Sequence, residues 1–523
     1  MSPETVVQKD VDESLKKIAE GSSITFVGLV LSLLPLLIIR LIIVRQWTES
    51  DYGIFSLAFS ILSICWTVGT LGLQNGLSRN IAYLRETKDY QKISMYISTS
   101  IWFSLITSVV IGIVLFLLSE NISNFFFHTS NLIVPLKIIS FIIPFYSLIN
   151  VIVSIYLGFD QVKPTVYFQQ ILLNVLFLFF IVIIIFFDNS FVNIFYALAI
   201  AAVVTFVLLI SYSGRQVKSL EVISVKSIKS PSSTELLFVS FPLLVTSVFL
   251  IIFSWADTIL LGSLRNTIDV GLYNTALPIA QIISFPLSAL FFIHLPIFTG
   301  LFAQNKSEEI KRSYSILTKW ICYVTLPFFF LLFLYPEPII AFLFGQDYIS
   351  AALALRILSI GYIAYDLVGP SGMTLVVIGK YRFEMFSWIF AVILNVCLDV
   401  ALIPTYGIAG AAFSLSTSII AMNVIKTWKL HTLTGVQPLS KNLLKPTILF
   451  TVIIILLYLI SGVIMIIDWW MLPLLFVFFY GVFLFAIFIT KSVDREDISL
   501  ITSTIHKVKS KINGMKRIVS KDK

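Results

Sequence analysis

Residues 379–412 read GKYRFEMFSWIFAVILNVCLDVALIPTYGIAGAA. We expect an apolar helix that begins after Gly379 and ends at Pro404, with a further helix from Gly407, because glycine and proline commonly mark helix boundaries. A similar arrangement of glycine, apolar residues and asparagine occurs about 220 residues earlier. The chain is therefore predicted to contain two copies of one unit.

The composition of the chain indicates an integral membrane protein. Of its 523 residues, 58% are hydrophobic and only 12% are charged, and the mean hydropathy is +0.97. Runs of about 20 apolar residues recur along the chain, and each is long enough to cross the hydrocarbon layer as a helix. The alternating pattern of a membrane β-barrel does not occur in the sequence. We predict an all-α polytopic membrane protein with about fourteen transmembrane helices.

The duplication is supported by polar residues and glycines that match at a nearly constant shift of about 220 residues. The matched pairs are Asp51 and Asp269, Gly53 and Gly271, Lys137 and Arg356, Gly158 and Gly379, and Asn174 and Asn395. Chance likeness between apolar segments does not explain matched polar residues. Because each copy has an even number of crossings, both copies have the same orientation in the membrane. This predicts two six-helix lobes as parallel tandem repeats, with two extra C-terminal helices.

The predicted domain organisation follows from these helices. Its segments are a cytoplasmic N-tail at 1–21, an N-lobe at 22–212, a cytoplasmic inter-lobe loop at 213–236, a C-lobe at 237–428, two further helices at 444–490 and a basic amphipathic tail at 491–523. Apolar residues recur at helical spacing in that tail, which favours a helix on the membrane surface over a solvated tail.

The distribution of basic residues predicts the topology. Most of the 36 lysines and arginines lie in alternate loops, whereas the opposite loops contain only Arg45 and Arg265. Since short cytoplasmic loops are enriched in basic residues, both termini are expected in the cytoplasm and the protein in the cell (plasma or inner) membrane. The net charge of +8 is then explained by topology and by anionic membrane lipid, not by nucleic acid.

Arg40 and Asp257 are ionisable residues inside predicted helices, where charges are costly and usually functional. Arg40 is a candidate to meet an anionic substrate group, with snorkelling to the outer membrane surface as the alternative. Asp257 stands nearly at the repeat position of Arg40. The two residues are predicted to bridge the lobes as an outer gate, or Asp257 to bind a coupling cation.

Lys137 and Arg356 occupy equivalent positions near the outer ends of two helices. Two cations related by the repeat could approach one anion on the pseudo-two-fold axis, and a pyrophosphate would suit them. The alternative is that both residues mark the outer membrane interface. Both interpretations stay open at this point.

Four further polar residues lie within predicted helices. Asp366 is mid-membrane and is a candidate ion or proton site, or else a satisfied structural carboxyl. Asn174 and Asn395 are expected to pack helices through interhelical hydrogen bonds rather than to touch substrate. Asp399 lies too near a predicted helix end to be given weight.

The sequence contains no pattern typical of soluble catalysis. It has no glycine-rich phosphate loop, no zinc-binding helix motif and no cluster of His, Asp and Glu outside the predicted helices. We therefore expect a transporter that is not an enzyme, without a cofactor or a bound metal.

Three stretches resemble polysaccharide transporters of the multidrug/oligosaccharidyl-lipid/polysaccharide exporter superfamily. They are Asn395–Ala412 with its LIPTYGIAGAA end, Trp255–Gly262 followed by Val270–Tyr273, and the opening stretch from Asp51–Gly53 to Arg79. The resemblance covers nearly the whole chain. It implies a flippase that moves polyprenyl-(pyro)phosphate-linked oligosaccharide from the inner to the outer leaflet, for O-antigen or other surface glycans. It also implies alternating access around a cationic cavity, in keeping with Arg40, Lys137 and Arg356.

Two other functions remain as alternatives. A cation-coupled multidrug antiporter of the same superfamily would need acidic groups to dominate the cavity. A membrane glycan polymerase or ligase would typically carry a long external loop, which this sequence does not predict. Expected partners are lipid-linked oligosaccharide, H⁺ or Na⁺ as a coupling ion, anionic lipid and enzymes that polymerise or transfer the glycan.

Overall fold

The computed structural model describes residues 28, 31–216, 231–288, 298–302, 304, 306–461 and 469–493. These residues form helices joined by short turns, and no strand occurs among them. Eleven helices in this part of the chain are long and apolar enough to cross a membrane. The all-α polytopic fold predicted from the sequence is thereby confirmed. The count of fourteen stays a prediction, since one of the eleven is a 54-residue run that joins two helices.

The helices of the first half are numbered in chain order. Their bounds are 31–46 for the described part of α1, Glu49–Gly69 for α2, Leu73–Glu86 for α3, Tyr90–Asn121 for α4, Ile133–Gly158 for α5, Leu173–Phe187 for α6 and Asn193–Gln216 for α7. A π-helical segment, Thr165–Leu172, leads directly into α6. Within this half, α5 is the central helix, because it packs against α2, α3, α4 and α7.

The helices of the second half continue the numbering. Their bounds are Pro231–Leu264 for α8, Thr267–Gln281 for α9, Ser307–Leu334 for α10, Pro336–Leu343 for α11, Ala352–Leu367 for α12, Ser371–Val377 for α13, Tyr381–Thr434 for α14, Lys441–Ser461 for α15 and Leu472–Ile489 for α16. Here α12 packs against α9, α10 and α14, and α8 also packs against α14. The last two helices, α15 and α16, pack on each other and on α10.

The stretch 379–412 forms the first part of α14. Pro404 lies inside the helical run, and the break comes at Gly407, whose backbone has φ 55° and ψ −130°. A positive φ of this kind is accessible to glycine at little cost. A Cβ on Gly410 would lie 2.6 Å from Leu402 O, so the chain also passes close to itself there. The predicted helix boundary is thus located at Gly407.

The predicted terminal and inter-lobe segments are described only in part. The N-tail 1–21, most of the loop 213–236 and nearly all of the tail 491–523 lie outside the described residues. The predicted surface helix in that tail therefore stays a prediction, as do the domain boundaries.

The duplication predicted from the sequence has a local structural counterpart at the start of α2 and α9. Thr48 caps α2, and its side-chain oxygen accepts a hydrogen bond from the backbone N–H of Asp51. Asn266 caps α9 in the same manner and accepts from the backbone N–H of Asp269. Side chains that satisfy the free N–H groups of a first turn stabilise a helix start. The matched aspartates are therefore each the third residue of an equally capped helix.

The two halves meet most closely where α2 crosses α9. A Cβ on Gly53 would lie 1.8 Å from Thr267 O, and a Cβ on Gly271 would lie 2.0 Å from Glu49 O. Glycines at such crossings let helix backbones approach, as is common between helices in membranes. Ser50 and Thr267 are hydrogen-bonded across the crossing, with 2.7 Å between their hydroxyl oxygens. In the predicted topology this contact closes the outer side.

A second contact between the halves lies at the opposite ends of these helices, where α3 packs against α8. Gly72 has φ 69° and begins α3, and a Cβ there would lie 2.5 Å from Leu244 N. A Cβ on Gly76 would lie 2.2 Å from Ser240 Oγ. The space between the halves is therefore bounded by one close helix contact at each end.

Replacing Gly53 with alanine is expected to destabilise the protein. The added Cβ overlaps the backbone of α9 and forces the helices apart, and overpacking typically costs about 1–3 kcal/mol. Gly481→Ala on α16 is the matched control, because no atom of the described chain lies within 4 Å of the Cβ position there. Thermal unfolding in detergent should show a lower Tm for Gly53→Ala and an unchanged or slightly higher one for Gly481→Ala. Equal Tm values for the two variants would contradict the described crossing.

Candidate functional site

A cavity of about 320 Å³ lies mainly within the first half, on the side that faces the second half. Its walls come from α1, α2, α5, the segment leading into α6, α6 itself and α7, with single residues from α8 and α9. This volume lies near the lower end of the roughly 300–1,000 Å³ found for ligand pockets. Its polar and aromatic lining residues include Arg40, Trp66, Tyr146, Asn150, Gln169 and Asn174.

Arg40 extends into this cavity from α1 and is half-buried. Among the described residues it has neither an ion pair nor a hydrogen bond, and Tyr52 is within reach of its charge. The hydroxyl of Tyr52 donates to Asn274 O at 3.1 Å, a hydrogen bond between the halves. Arg40 is thus placed at the junction of the halves with its charge uncompensated by any described carboxylate.

The remaining cavity wall is aromatic and amide-rich. The rings of Trp66 and Tyr146 are stacked, with their centroids 4.7 Å apart and an angle of 9° between their planes. Gln169 Nε2 donates to Asn150 Oδ1 at 2.8 Å. Asn174 also lines the cavity, and its Nδ2 donates to Gln170 O in its own helical run at 2.7 Å. The side chain expected to join helices therefore binds its own helix and faces the cavity.

Lys137 and Arg356, predicted to approach one anion together, are each ion-paired within their own half in this structure. Lys137 Nζ lies 2.9 Å from Glu120 Oε1, and Arg356 Nη2 lies 2.9 Å from Glu337. Arg356 Nε also donates to Phe333 O at 3.1 Å. Neither cation lines the central cavity. The physical reason is that the repeat duplicates the acid as well as the base, so each cation is neutralised within its own half.

Asp257 is fully packed inside the second half and does not bridge to Arg40. Its carboxyl accepts hydrogen bonds from the Tyr273 hydroxyl and from Asn395 Nδ2, the latter at 2.9 Å. The bond from Asn395 joins α14 to α8 and is interhelical. Because both partners belong to the second half, the predicted Arg40–Asp257 outer gate is not formed in this structure.

Asp399 completes this cluster and is the residue that the sequence reasoning passed over. It is buried beside Asp257, and neither of its carboxyl oxygens accepts a hydrogen bond from a described donor. Asn395 and Asp399 are four residues apart on α14, so they share one helix face. Two adjacent buried carboxyls are stable together only when a proton or a cation is shared between them.

Asp366 on α12 forms a separate buried carboxyl. Its side chain is inaccessible, and within the described chain both oxygens are without a hydrogen bond. Ser284 lies beside it without satisfying hydrogen-bond geometry, and the thiol of Cys322 lies 3.7 Å from its backbone oxygen. A carboxyl in such surroundings is disfavoured in its charged form unless a cation accompanies it.

An apolar groove of about 580 Å³ runs along the outside of α1. It is lined by Ile38, Leu41 and Ile42 of α1, with Val182, Ile185 and Phe186 of α6 on its other side. At its end Arg45 donates from Nε to Leu343 O at 3.0 Å and from Nη2 to Phe342 O. These carbonyls end α11, so Arg45 ties the first half to the second at the rim of the groove.

The described part of the chain is thus a polytopic helical membrane protein whose cavity is bordered by residues of both halves. The sequence profile described as "Polysaccharide biosynthesis protein" matches residues 18–302, and that of the MatE family matches residues 242–401. The first match covers more than half of the chain. This protein belongs to the polysaccharide biosynthesis protein family, which confirms the resemblance found in the sequence.

A similar curated protein comes from Haloferax volcanii and is named "Probable low-salt glycan biosynthesis flippase Agl15". It is 23% identical over 185 residues, which are 35% of this chain and 39% of that protein. The match therefore spans well under two thirds of the relative's length.

Solved structures share the fold. The inward closed conformation of the lipid II flippase MurJ has a TM-score of 0.70 at 16% identity and covers 89% of this chain and 97% of its own. An inward-facing multidrug resistance MATE family transporter of the MOP superfamily has a TM-score of 0.62 at 14% identity, with coverages of 81% and 94%. The chain thus has the fold of these multi-pass membrane transporters.

Removing the Asn395 amide is expected to destabilise the second half, because Asp257 then loses one of its two described donors. A buried polar group without its partner typically costs about 1–3 kcal/mol. Asn395→Leu should therefore lower the Tm in detergent more than Asn423→Leu. Asn423 is a buried amide on the same helix, and its described hydrogen bond goes to Ile419 O of its own helix. An equal decrease in Tm for Asn423→Leu would show that the Asp257–Asn395 hydrogen bond makes no special contribution to stability.

Proposed function

We propose that this protein moves polyprenyl-(pyro)phosphate-linked oligosaccharide from the inner to the outer leaflet for the assembly of a surface polysaccharide or glycan. The observation that carries the proposal is the half-buried Arg40, unpaired among described residues, in the central cavity. A guanidinium offers a planar set of N–H donors that fits phosphate oxygens, and it is less strongly hydrated than an ammonium group. The family and the printed flippase names of similar proteins support the same substrate class.

The two close helix contacts would open and close in alternation during transport. The α2–α9 and α3–α8 contacts bound the cavity at its two ends, so transport requires one contact to open while the other stays closed. Rocking of two rigid halves about a fixed central site accomplishes this in duplicated transporters. Arg45 would release the two carbonyls at the end of α11 whenever the outer side opens.

The lipid tail is assigned to the apolar groove along α1. The polar head group occupies the cavity on one side of that helix, and the polyprenyl chain stays in the groove on the other, in contact with membrane lipid. A chain of isoprene units needs only an apolar surface, which the side chains of α1 and α6 provide.

The membrane potential provides a driving force for outward movement. Each elementary charge crossing 100 mV is worth about 2.3 kcal/mol, so a pyrophosphate with two negative charges gains about 4 to 5 kcal/mol when the inside is negative. The same arithmetic gives about 2.3 kcal/mol for a singly charged phosphodiester. Coupling to an ion is therefore an addition to this force and not a requirement.

Ion coupling is proposed at Asp257 and Asp399, with Asp366 as a second candidate. Tyr273, which donates to Asp257, is followed in sequence by Asn274, which accepts from Tyr52 in the cavity wall. A proton or Na⁺ entering the carboxyl pair would shift Tyr273, and Asn274 would carry that shift to the contact between the halves.

A cation-coupled multidrug antiporter is the second candidate function. It is favoured by the buried carboxyls and by the MATE fold neighbours. We rank it lower because those carboxyls lie behind the cavity wall, whereas the charged side chain in the described cavity lining is Arg40. An organic cation would be repelled there.

The proposed setting is the cell membrane with both termini in the cytoplasm. The basic loops would contact anionic lipid, and glycan polymerases or transferases would use the exported substrate. The proposed role is transport, without catalysis, cofactor or nucleic acid.

Loss of the Arg40 charge is expected to lower flipping about ten- to hundredfold, the range for losing a hydrogen bond to a charged group. Proteoliposomes would contain a fluorescent polyprenyl-pyrophosphate oligosaccharide and purified Arg40→Gln protein. The rate would be read from accessibility of the glycan to an external impermeant reagent at an imposed potential. The matched control is Lys137→Gln, which removes a membrane cation that already has an acidic partner outside the cavity.

Comparing the two variants separates phosphate binding by Arg40 from the general effect of removing one positive charge. We expect Lys137→Gln to flip at about the wild-type rate, because exposed ion pairs contribute little. Equal losses for both variants would remove the special role of Arg40. Wild-type protein that flips no lipid-linked glycan but takes up organic cations would replace the proposed function with antiport.

Ion coupling predicts that Asp257→Asn abolishes any acceleration of flipping by an inward gradient of Na⁺ or protons. The response to membrane potential should remain, because the charge on the transported phosphate is unaltered. Asp366→Asn, tested in parallel, assigns the gradient response to one carboxyl or the other. A gradient response that survives in both single variants would exclude both sites as the coupling group.

A further inference from the structure

We infer that the aromatic and amide wall beside Arg40 is a subsite for a neutral sugar bearing hydroxyl or acetamido groups, the sugar attached directly to the phosphate. This inference rests on the proposed function and specifies which part of the substrate the cavity recognises. The residues that form the subsite are Trp66, Tyr146, Asn150, Gln169 and Asn174.

The first observation is a polar group on the cavity wall that has no partner. Tyr146 is 5% exposed, and its hydroxyl makes no hydrogen bond to any described residue. The indole N–H of Trp66, which stacks on that ring, likewise has no described acceptor. Neither the Tyr146 oxygen nor the Trp66 nitrogen is fully enclosed by protein, so both are open to a hydrogen-bond partner from outside the described chain. Both groups line the cavity, so a ligand there can satisfy them.

The second observation is the orientation of the amides. Gln169 Nε2 is held by Asn150 Oδ1, Asn150 Nδ2 donates to Tyr146 O at 2.8 Å, and Asn174 Nδ2 is held by its own helical run. Gln169 Oε1 and Asn174 Oδ1 are then left as acceptors without a described donor. Sugar hydroxyls and acetamido N–H groups supply donors, whereas a phosphate diester has none.

The third observation is the charge. Arg40 is the cation among the described lining residues, and in the proposed function it binds phosphate. A sugar acid would place its carboxylate against the carbonyl oxygens of Gln169 and Asn174, which repel it. The subsite therefore favours a neutral sugar. An aromatic wall suits such a ring, since its C–H face is apolar while its hydroxyls point to the rim.

The size of the cavity limits this recognition to one end of the glycan. A volume of about 320 Å³ accommodates a phosphate and an adjoining sugar, not a long oligosaccharide. A further recess of about 310 Å³ begins at Thr67, next to Trp66, and has Gln74, Asn75, Ser247 and Ser254 among its lining residues. Its polar side chains are hydroxyls and amides without charge, which fits additional sugars with less selectivity.

The test compares two probes of equal lipid length in proteoliposomes. One probe is polyprenyl phosphate carrying N-acetylglucosamine, and the other is the bare polyprenyl phosphate. Asn174→Leu is expected to lower flipping of the sugar-bearing probe about three- to tenfold, as for the loss of one hydrogen bond, while the bare probe is unaffected. Asn80→Leu is the matched control, because its amide makes the same bond to its own helix, at 2.9 Å to Gly76 O, but lies outside the cavity lining.

Tyr146→Phe is a second variant that keeps the stacked ring and removes only the hydroxyl. It should lower flipping of the sugar-bearing probe about threefold and leave the bare probe unchanged. Equal changes for both probes in Asn174→Leu and Tyr146→Phe would overturn the sugar subsite while leaving the phosphate site at Arg40 intact. Failure of the wild-type protein to flip either probe would instead overturn the proposed function and, with it, the subsite.

Discussion

A charge at membrane depth is stable only when it is paired, hydrogen-bonded or open to a polar cavity. Among the described residues, this constraint distinguishes three cases, whereas the buried carboxyls Asp366 and Asp399 lack hydrogen bonds and require a proton or a cation. Lys137 and Arg356 are paired with glutamates at predicted outer helix ends. Asp257 is hydrogen-bonded by groups from neighbouring helices. Arg40 has neither kind of partner among the described residues and faces the cavity, so it is the residue whose charge is left for a ligand.

The duplication explains why the cavity lies where it does. One buried apolar cluster runs through both halves, and the halves touch through glycines at both ends of α2–α3. Backbones therefore meet there, while larger side chains line the space between. The two copies differ inside that space. The residue at nearly the repeat position of Arg40 is Asp257, which is hydrogen-bonded within the second half. One half thus contributes most of the cavity wall and the other contributes a buried carboxyl cluster. The hydrogen bond from Tyr52 to Asn274 connects the cavity wall to the half that contains the carboxyl cluster.

Several features were predictable because they depend on local pattern. The helical class follows from apolar runs, and the repeat follows from matched residues such as Asp51 and Asp269, which prove to occupy the same position in two capped helices. The pairing of Lys137 with Glu120 depends on contact between two helices, which periodicity does not report. A signal did exist, since Glu120 and Glu337 are separated by nearly the repeat shift.

The sequence does not identify Asp399 as a site residue, for a different reason. The first helix of α14 was expected to end at Pro404, which placed Asp399 near a helix end, whereas the run continues to the break at Gly407. The spacing of Asn395 and Asp399 on one helix face would have pointed to a shared site. The orientation of the cavity amides could not be predicted at all, because it depends on hydrogen bonds such as that between Gln169 and Asn150.

The most direct measurement is a structure of the protein in lipid nanodiscs with a polyprenyl-phosphate-linked sugar bound. We expect phosphate density inside the cavity, within hydrogen-bonding distance of the Arg40 guanidinium, with the lipid chain leaving along α1. Density for the phosphate beside Lys137 or Arg356 at the predicted outer helix ends, with the Arg40 cavity empty, would contradict this prediction.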